Sequence, residues 1–158
     1  MNAKTWDQYH ADILILAEKS ANYKPDIICP VMLGGLIPGA IIAKYFELND
    51  VRPIDIERNG DHRRLAYDVQ GNISGKRILI VEDDLPTGIG PARIAQEFRQ
   101  RGSDVKIGAL YVTPQSQKLT DFWVELYESA DEFPGYPWKR PHIGDRVIRN
   151  ATVKTVIE

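Results

Sequence analysis

Apolar residues recur along this chain at two spacings. Trp6, Tyr9, Ile13, Leu16 and Ala17 return every three or four positions, and Thr5-Trp6-Asp7-Gln8 carries the side chains of a capping box. The first element therefore reads as a helix, stopped by Tyr23-Lys24-Pro25. "DIICPVML" then reads as a buried strand despite Pro30, and Gly34-Gly35 mark a tight turn before a helix from about Pro38 to Phe46. "VRPIDIER" alternates like a strand. "RILIVED" is a third strand, followed by a helix that places Ile94, Ala95 and Phe98 on one face and stops near Gly102. "DVKIGALYV" is a fourth strand, and after the polar "TPQSQKLT" the run "DFWVELY" makes a fifth, with Phe122, Trp123, Leu126 and Tyr127 read as core.

Strands alternating with helices predict an α/β fold with a mostly parallel central sheet and right-handed crossovers. In such sheets ligands bind beyond the carboxyl ends of the strands. The charged stretch from Asn59 to Gly75 interrupts the alternation; its length and glycines predict a mobile loop or a hairpin excursion.

A chain of 158 residues is long enough for one well-filled core and short for two, so residues 1–158 read as a single domain. With 20 basic and 22 acidic side chains there is no polybasic signature for nucleic acid or anionic membrane. The one cysteine, Cys29, cannot close an internal disulfide and fits a reducing compartment. One Cys and three scattered His do not make a zinc site. The uncharged run from Ile27 to Ala43 nears the length of a membrane span, but two glycines in tandem and two prolines break it, so a strand, turn and helix is the better account. The N-terminal ten residues have no apolar signal core, and the expectation is a cytoplasmic protein.

The chemistry concentrates in "ILIVEDDLPTGIG". Glu82 and Asp83 fall at the carboxyl edge of the third strand, and Thr87-Gly88-Ile89-Gly90 turns into the next helix. Successive amides in such a turn form an anion pocket. Carboxylates beside it would repel a phosphate unless they hold something else, such as sugar hydroxyls or a magnesium ion. That combination suggests a phosphorylated sugar; a solvated acidic loop with a helix cap is the plain alternative. Walker A needs a Gly-Lys-Ser/Thr ending that is absent, and a dinucleotide fingerprint needs a third glycine where Arg93 stands.

The same stretch resembles the signature of the type I phosphoribosyltransferases: a hydrophobic strand, two adjacent acids, three residues, then Thr-Gly and a phosphate loop. The three-residue gap Asp84-Leu85-Pro86 fixes Glu82 and Asp83 as the pair. "TWDQYHADILILA", "DIICPVMLGGLIPGAIIAKYF" and "FPGYPW" extend the likeness to the xanthine-guanine branch of purine salvage enzymes, from Thr5 to Trp138. The resemblance implies a type I phosphoribosyltransferase fold with a small C-terminal hood, here residues 130–158 with the tail. It implies Mg²⁺, phosphoribosyl pyrophosphate and a purine base as partners, no nucleic acid or membrane, and a homo-oligomer, dimer or tetramer. Glu82 and Asp83 would hold the ribose hydroxyls and the metal. Thr87, Gly88, Ile89 and Gly90 would hold the 5-phosphate through their amides, and Leu33, Gly34 and Gly35 the leaving pyrophosphate. Arg63 and Arg64 would close over the site and supply cationic charge; a solvated basic pair is the alternative. Phe133 would stack on the base, and the main chain of Pro134 would contact its exocyclic groups.

Several positions depart from that pattern. Gly90 replaces a hydroxyl residue and Leu33 an arginine, so each removes a contact to a phosphate group. Pro86 stands where an aspartate handles a proton at the base, which leaves Asp84, a water chain or unassisted transfer. Thr113 replaces a lysine that holds the 6-oxo group; Lys118 is the nearby substitute. These departures keep two other readings open: a nucleotide-binding regulator without catalysis, or transfer to a different acceptor.

Overall fold

The computed structural model describes residues 3–60 and 62–137. Trp138 and the tail after it lie outside that range, as do the first two residues and Asp61. Helix α1 (Trp6–Ser20) opens as its sequence predicts: the Thr5 hydroxyl accepts from the Gln8 amide and the Gln8 side chain accepts from the Thr5 amide. Tyr9, Ile13, Leu16 and Ala17 are buried, whereas Trp6, assigned to the same stripe, is 56% exposed at the first turn.

Strands β1 (Ile27–Pro30), β4 (Arg77–Leu85), β5 (Asp104–Val112) and β6 (Phe122–Leu126) lie parallel in the order β1-β4-β5-β6. Pro30 is tolerated because it closes β1: its carbonyl accepts from Ile54, and the next amide, Val31, donates to Val81. The stretch expected as one strand, Val51 to Arg58, is split. Val51 and Ile54 make single parallel bridges to Ile28 and Val31 at the outer edge of β1. Ile56 then begins a separate antiparallel hairpin, β2 (Ile56–Asn59) and β3 (His62–Leu65). The Arg52 and Ile54 amides donate to the Ile28 and Pro30 carbonyls on either side of Pro53, so the proline takes an outward position of this edge segment and the division falls after Ile54.

Helices α1 and α2 (Leu36–Tyr45) cover one face of the sheet and α3 (Ile89–Gln100) the other. Alternate residues of β4 separate accordingly: Ile78 and Ile80 join Phe98 and Ile94, while Leu79 and Val81 join Leu16 and Ile42. A short helix α4 (Pro114–Gln117) occupies the stretch read as a polar connection, with Thr113 as its cap. β6 is the edge of the sheet, so Leu126 is 47% exposed rather than core, and the Lys19 ammonium donates to the Trp123 carbonyl beside it.

At the other end of the sheet, Arg77 is anchored to Asp26 by side-chain and main-chain hydrogen bonds, which depress the Asp26 carboxyl to about 2. A carboxyl lowered from 3.8 contributes stability above that value and loses it as pH falls through about 2. Between those two limits, wild-type stability should fall with decreasing pH and that of Asp26→Asn should fall less. Chemical denaturation at closely spaced pH values checks this; parallel curves would exclude the pair as a source of acid sensitivity.

Candidate functional site

The site forms where three segments reach the carboxyl ends of β1, β4 and β5. β4 runs on through Leu85, so Glu82, Asp83 and Asp84 stand within the last turns of a paired strand rather than in a loop after it. Leu110 and Tyr111, adjacent in β5 and opposite this stretch, both belong to the cluster beneath α1 and α2. The in-out alternation therefore breaks here, between Ala109 and Val112 of the opposite cluster. Asp83 is buried at 3% exposure, with Glu82 and Asp84 half-buried. The Asp83 carboxylate accepts from the Asp84 amide at 2.7 Å, and Glu82 accepts from the Asp83 amide at 3.2 Å.

The Gly34-Gly35 turn presses directly on this strand. A Cβ on Gly34 would lie 2.2 Å from Asp83 Oδ1, and one on Gly35 would lie 2.1 Å from the Val81 carbonyl oxygen. Only glycine permits that approach. The Met32–Leu33 peptide is cis, and Leu33 is 76% exposed at the crest of the turn.

Beyond β4, Pro86 and Thr87 are exposed and Gly88 adopts a left-handed conformation at φ 69° as the cap of α3. No side chain caps this helix and no acid occupies its first turn, so Ile89 and Gly90 begin it with unsatisfied amides suited to an anion. The helix starts two residues earlier than Pro91, the position read from sequence. Thr113 does not present a free donor to this space. Its hydroxyl donates to the Pro86 carbonyl at 2.8 Å and accepts from the Ser116 amide, while Ser116 Oγ bonds the Leu85 carbonyl. These bonds tie α4 to the end of β4. Lys118 lines a cavity with Arg99 and Asp121 beside α3 and β5.

Phe133 is buried at 7% exposure, edge-on to Tyr127 with centroids 5.7 Å apart, and 6.4 Å from Tyr111. Its ring is packing in this conformation. Pro134 follows it half-buried, and the Gly135 carbonyl accepts from the Lys4 amide. The two arginines expected to act together separate: Arg64 bonds Glu57 on the outer face of the hairpin, whereas Arg63 borders a cavity with Ile89 and Arg93 at the start of α3.

Sequence reading missed the floor of the site. Tyr9 and Tyr136, at 1% and 3% exposure, pack edge to face at 5.3 Å; burial, and then the charges of Asp83 and Asp84, push both hydroxyls upward. Beside them Tyr111 donates to Asp12 at 2.7 Å, and the Lys4 ammonium bonds Asp12 and Glu125 at 2.6 and 2.7 Å. Burial works against that ammonium, but its two acidic partners outweigh the cost and hold it above its ordinary pKa. Asp12 inside a helical apolar stripe was the available signal. Among the described residues no three metal-ligating side chains cluster, so a metal here would rely on one or two carboxylates and on its substrate's oxygens, as magnesium commonly does.

No family model matches the chain. It is 29% identical over 141 residues to xanthine-guanine phosphoribosyltransferase of Nitratidesulfovibrio vulgaris strain DP4, covering 85% of this chain and 82% of that one. The crystal structure of a purine phosphoribosyltransferase from Pyrococcus horikoshii Ot3 superposes with a TM-score of 0.76 at 29% identity, covering 88% of this chain and 93% of the other. The xanthine-guanine-hypoxanthine enzyme of Helicobacter pylori, at 15% identity and a TM-score of 0.69, shares the fold. Sequence and architecture agree: the chain has the type I phosphoribosyltransferase fold and is similar over most of its length to purine phosphoribosyltransferases.

Proposed function

We propose that the protein transfers the 5-phosphoribosyl group of phosphoribosyl pyrophosphate to a purine base, releasing pyrophosphate and a nucleoside 5′-monophosphate. The observation that supports this most is the close approach of Gly34 to the Asp83 carboxylate, because it sets a glycine turn against the acidic strand end that leads into the uncapped start of α3. In this reading the amides of Thr87–Gly90 hold the 5-phosphate, and Glu82 and Asp83 accept from the ribose hydroxyls. The amides around Leu33–Gly35 take the charge that develops on the leaving pyrophosphate. The anomeric C–O bond to pyrophosphate breaks, the bond from carbon to the base nitrogen forms, and the base gives up the proton on that nitrogen. Pro86 has no group to receive it, which makes the half-buried Asp84, two residues earlier, the candidate acceptor. Magnesium, carried on pyrophosphate oxygens and steadied by Glu82 or Asp83, would neutralise the leaving group.

The bond from Thr113 to the Pro86 carbonyl favours a second reading, because the hydroxyl that might have addressed a 6-oxo group is already engaged. In that reading the fold binds phosphoribosyl pyrophosphate or nucleotide as a regulator, or uses another acceptor. Pyrophosphate release with Mg²⁺ across guanine, xanthine, hypoxanthine, adenine, uracil and orotate separates the two. Release with a purine, at a kcat of order 1–10 per second, is the expected result. Release with uracil or orotate alone would change the acceptor, and silence from protein that still binds phosphoribosyl pyrophosphate would establish the regulator.

A further inference from the structure

The β2–β3 hairpin delivers positive charge to the first turns of α3. Its register pairs Ile56 with Leu65, Glu57 with Arg64 and Arg58 with Arg63. Side chains alternate across a strand, so Arg58 and Arg63 share the face of Ile56 and Leu65, which packs against the core under α3. Ile56 lies 3.5 Å from where a Cβ on Gly90 would be. Glu57 and Arg64 take the opposite face and pair with each other at 2.8 Å. Arg63 therefore meets α3, and a cavity of about 170 Å³ opens between His62, Arg63, Ile89 and Arg93.

The charge balance of this cavity is unlike that around four other arginines. Arg52, Arg64, Arg77 and Arg101 each form an ion pair, with Asp50, Glu57, Asp26 and Asp68. Arg63 instead donates to the carbonyls of Gly60 and His62, and Arg93 to the neutral Gln96 side chain. Among the described residues neither has an acidic partner. Like charges set opposite one another, as Arg58 and Arg63 are, cost stability. A cation one turn into a helix also opposes the helix dipole. A phosphate dianion in the cavity turns both effects from unfavourable to favourable.

We propose that Arg63 and Arg93 clamp the 5-phosphate of the phosphoribosyl donor from the flank of α3, offsetting the hydroxyl that Gly90 does not supply. The clamp rests on the phosphoribosyltransferase reading, and it gives the cationic charge expected of Arg63 a place beside the 5-phosphate. Ile89 belongs both to the cavity wall and to the Thr87–Gly90 turn, so the cavity adjoins the segment whose amides would hold the phosphate.

Calorimetric binding of ribose 5-phosphate and of inorganic pyrophosphate tests the assignment on wild type, Arg63→Gln, Arg93→Gln and Lys44→Gln, the last an exposed charge on α2. Each arginine variant should weaken ribose 5-phosphate about tenfold, leave pyrophosphate within about twofold, and melt like wild type. Lys44→Gln should bind both as wild type does. Equal loss for both ligands would indicate a general field effect and overturn the clamp. Wild-type binding retained in both arginine variants would also overturn it while leaving the phosphoribosyltransferase reading intact. A wild-type protein that binds neither ligand nor phosphoribosyl pyrophosphate would remove that reading and the clamp together.

Discussion

Glu82→Gln combined with Asp83→Asn should abolish phosphoribosyl transfer, by roughly 10³-fold or more, while leaving the circular dichroism spectrum unchanged. The substitutions keep the shape of both side chains and remove two charges from the end of a paired strand. A neutral amide can still accept from a ribose hydroxyl, but it offers a magnesium–pyrophosphate complex far less, and none of the charge that an oxocarbenium-like centre would feel. The measurement is pyrophosphate release under single-turnover conditions, with phosphoribosyl pyrophosphate binding followed separately. Retained turnover would mean that Asp84, the remaining carboxylate of the stretch, carries the role given to its neighbours. Retained binding with lost turnover is the expected pattern.

Gly34→Ala and Gly35→Ala should fail in different ways, and the difference reports on the site. At Gly35 the new methyl meets main-chain atoms, the Val81 carbonyl at 2.1 Å and the Val31 amide nitrogen at 2.8 Å. Neither can swing aside, so the β1–β4 junction must open. A loss of about 3 kcal/mol is expected, lowering the melting temperature by about 6–12 °C. At Gly34 the methyl meets a side chain, the Asp83 carboxylate. That group can rotate away, so stability should fall less while kcat/KM falls about 10²-fold through misplaced charge. Thermal melts and steady-state kinetics on both variants check this. Equal melting losses with equal kinetic losses would show that the turn is merely a tight corner of the fold.

The strands and helices were legible because their period matches their burial, as in α1 and α3, where the expected stripe, Trp6 apart, is the buried one. Legibility ended where a local pattern met a tertiary requirement. "VRPIDIER" alternates well enough for one strand, yet its part up to Ile54 lies at the edge of the main sheet and its part from Ile56 joins a separate hairpin. The polar "TPQSQKLT" hides a capped helical turn that secures Pro86, since side-chain caps do not register in a hydrophobic period. The acid pair could be placed at a strand end from spacing, but not the depth of Asp83, which depends on Gly34 arriving from β1. Tyr9 was readable as core; its proximity to the charges of Asp83 and Asp84 depends on α1 packing over β4, which no local pattern shows. Arg63 and Arg64 looked equivalent until the hairpin register assigned them opposite faces.

The bond from the Lys4 amide to the Gly135 carbonyl, with the Lys4 ammonium held by Asp12 and Glu125, joins the two ends of the described chain. A ribosome releases Lys4 before every strand of the sheet and Gly135 after all of them, so the Lys4 segment waits for its partners while the whole sheet emerges. The sheet can pair strand by strand as it emerges, but the tyrosine layer beneath Asp83 cannot close until the last of those strands has been followed by residue 136. The acidic centre is therefore assembled on a floor that is completed last, and a chain stalled or cut before that point would present folded strands with the aromatic and acidic surfaces of α1 uncovered to other proteins.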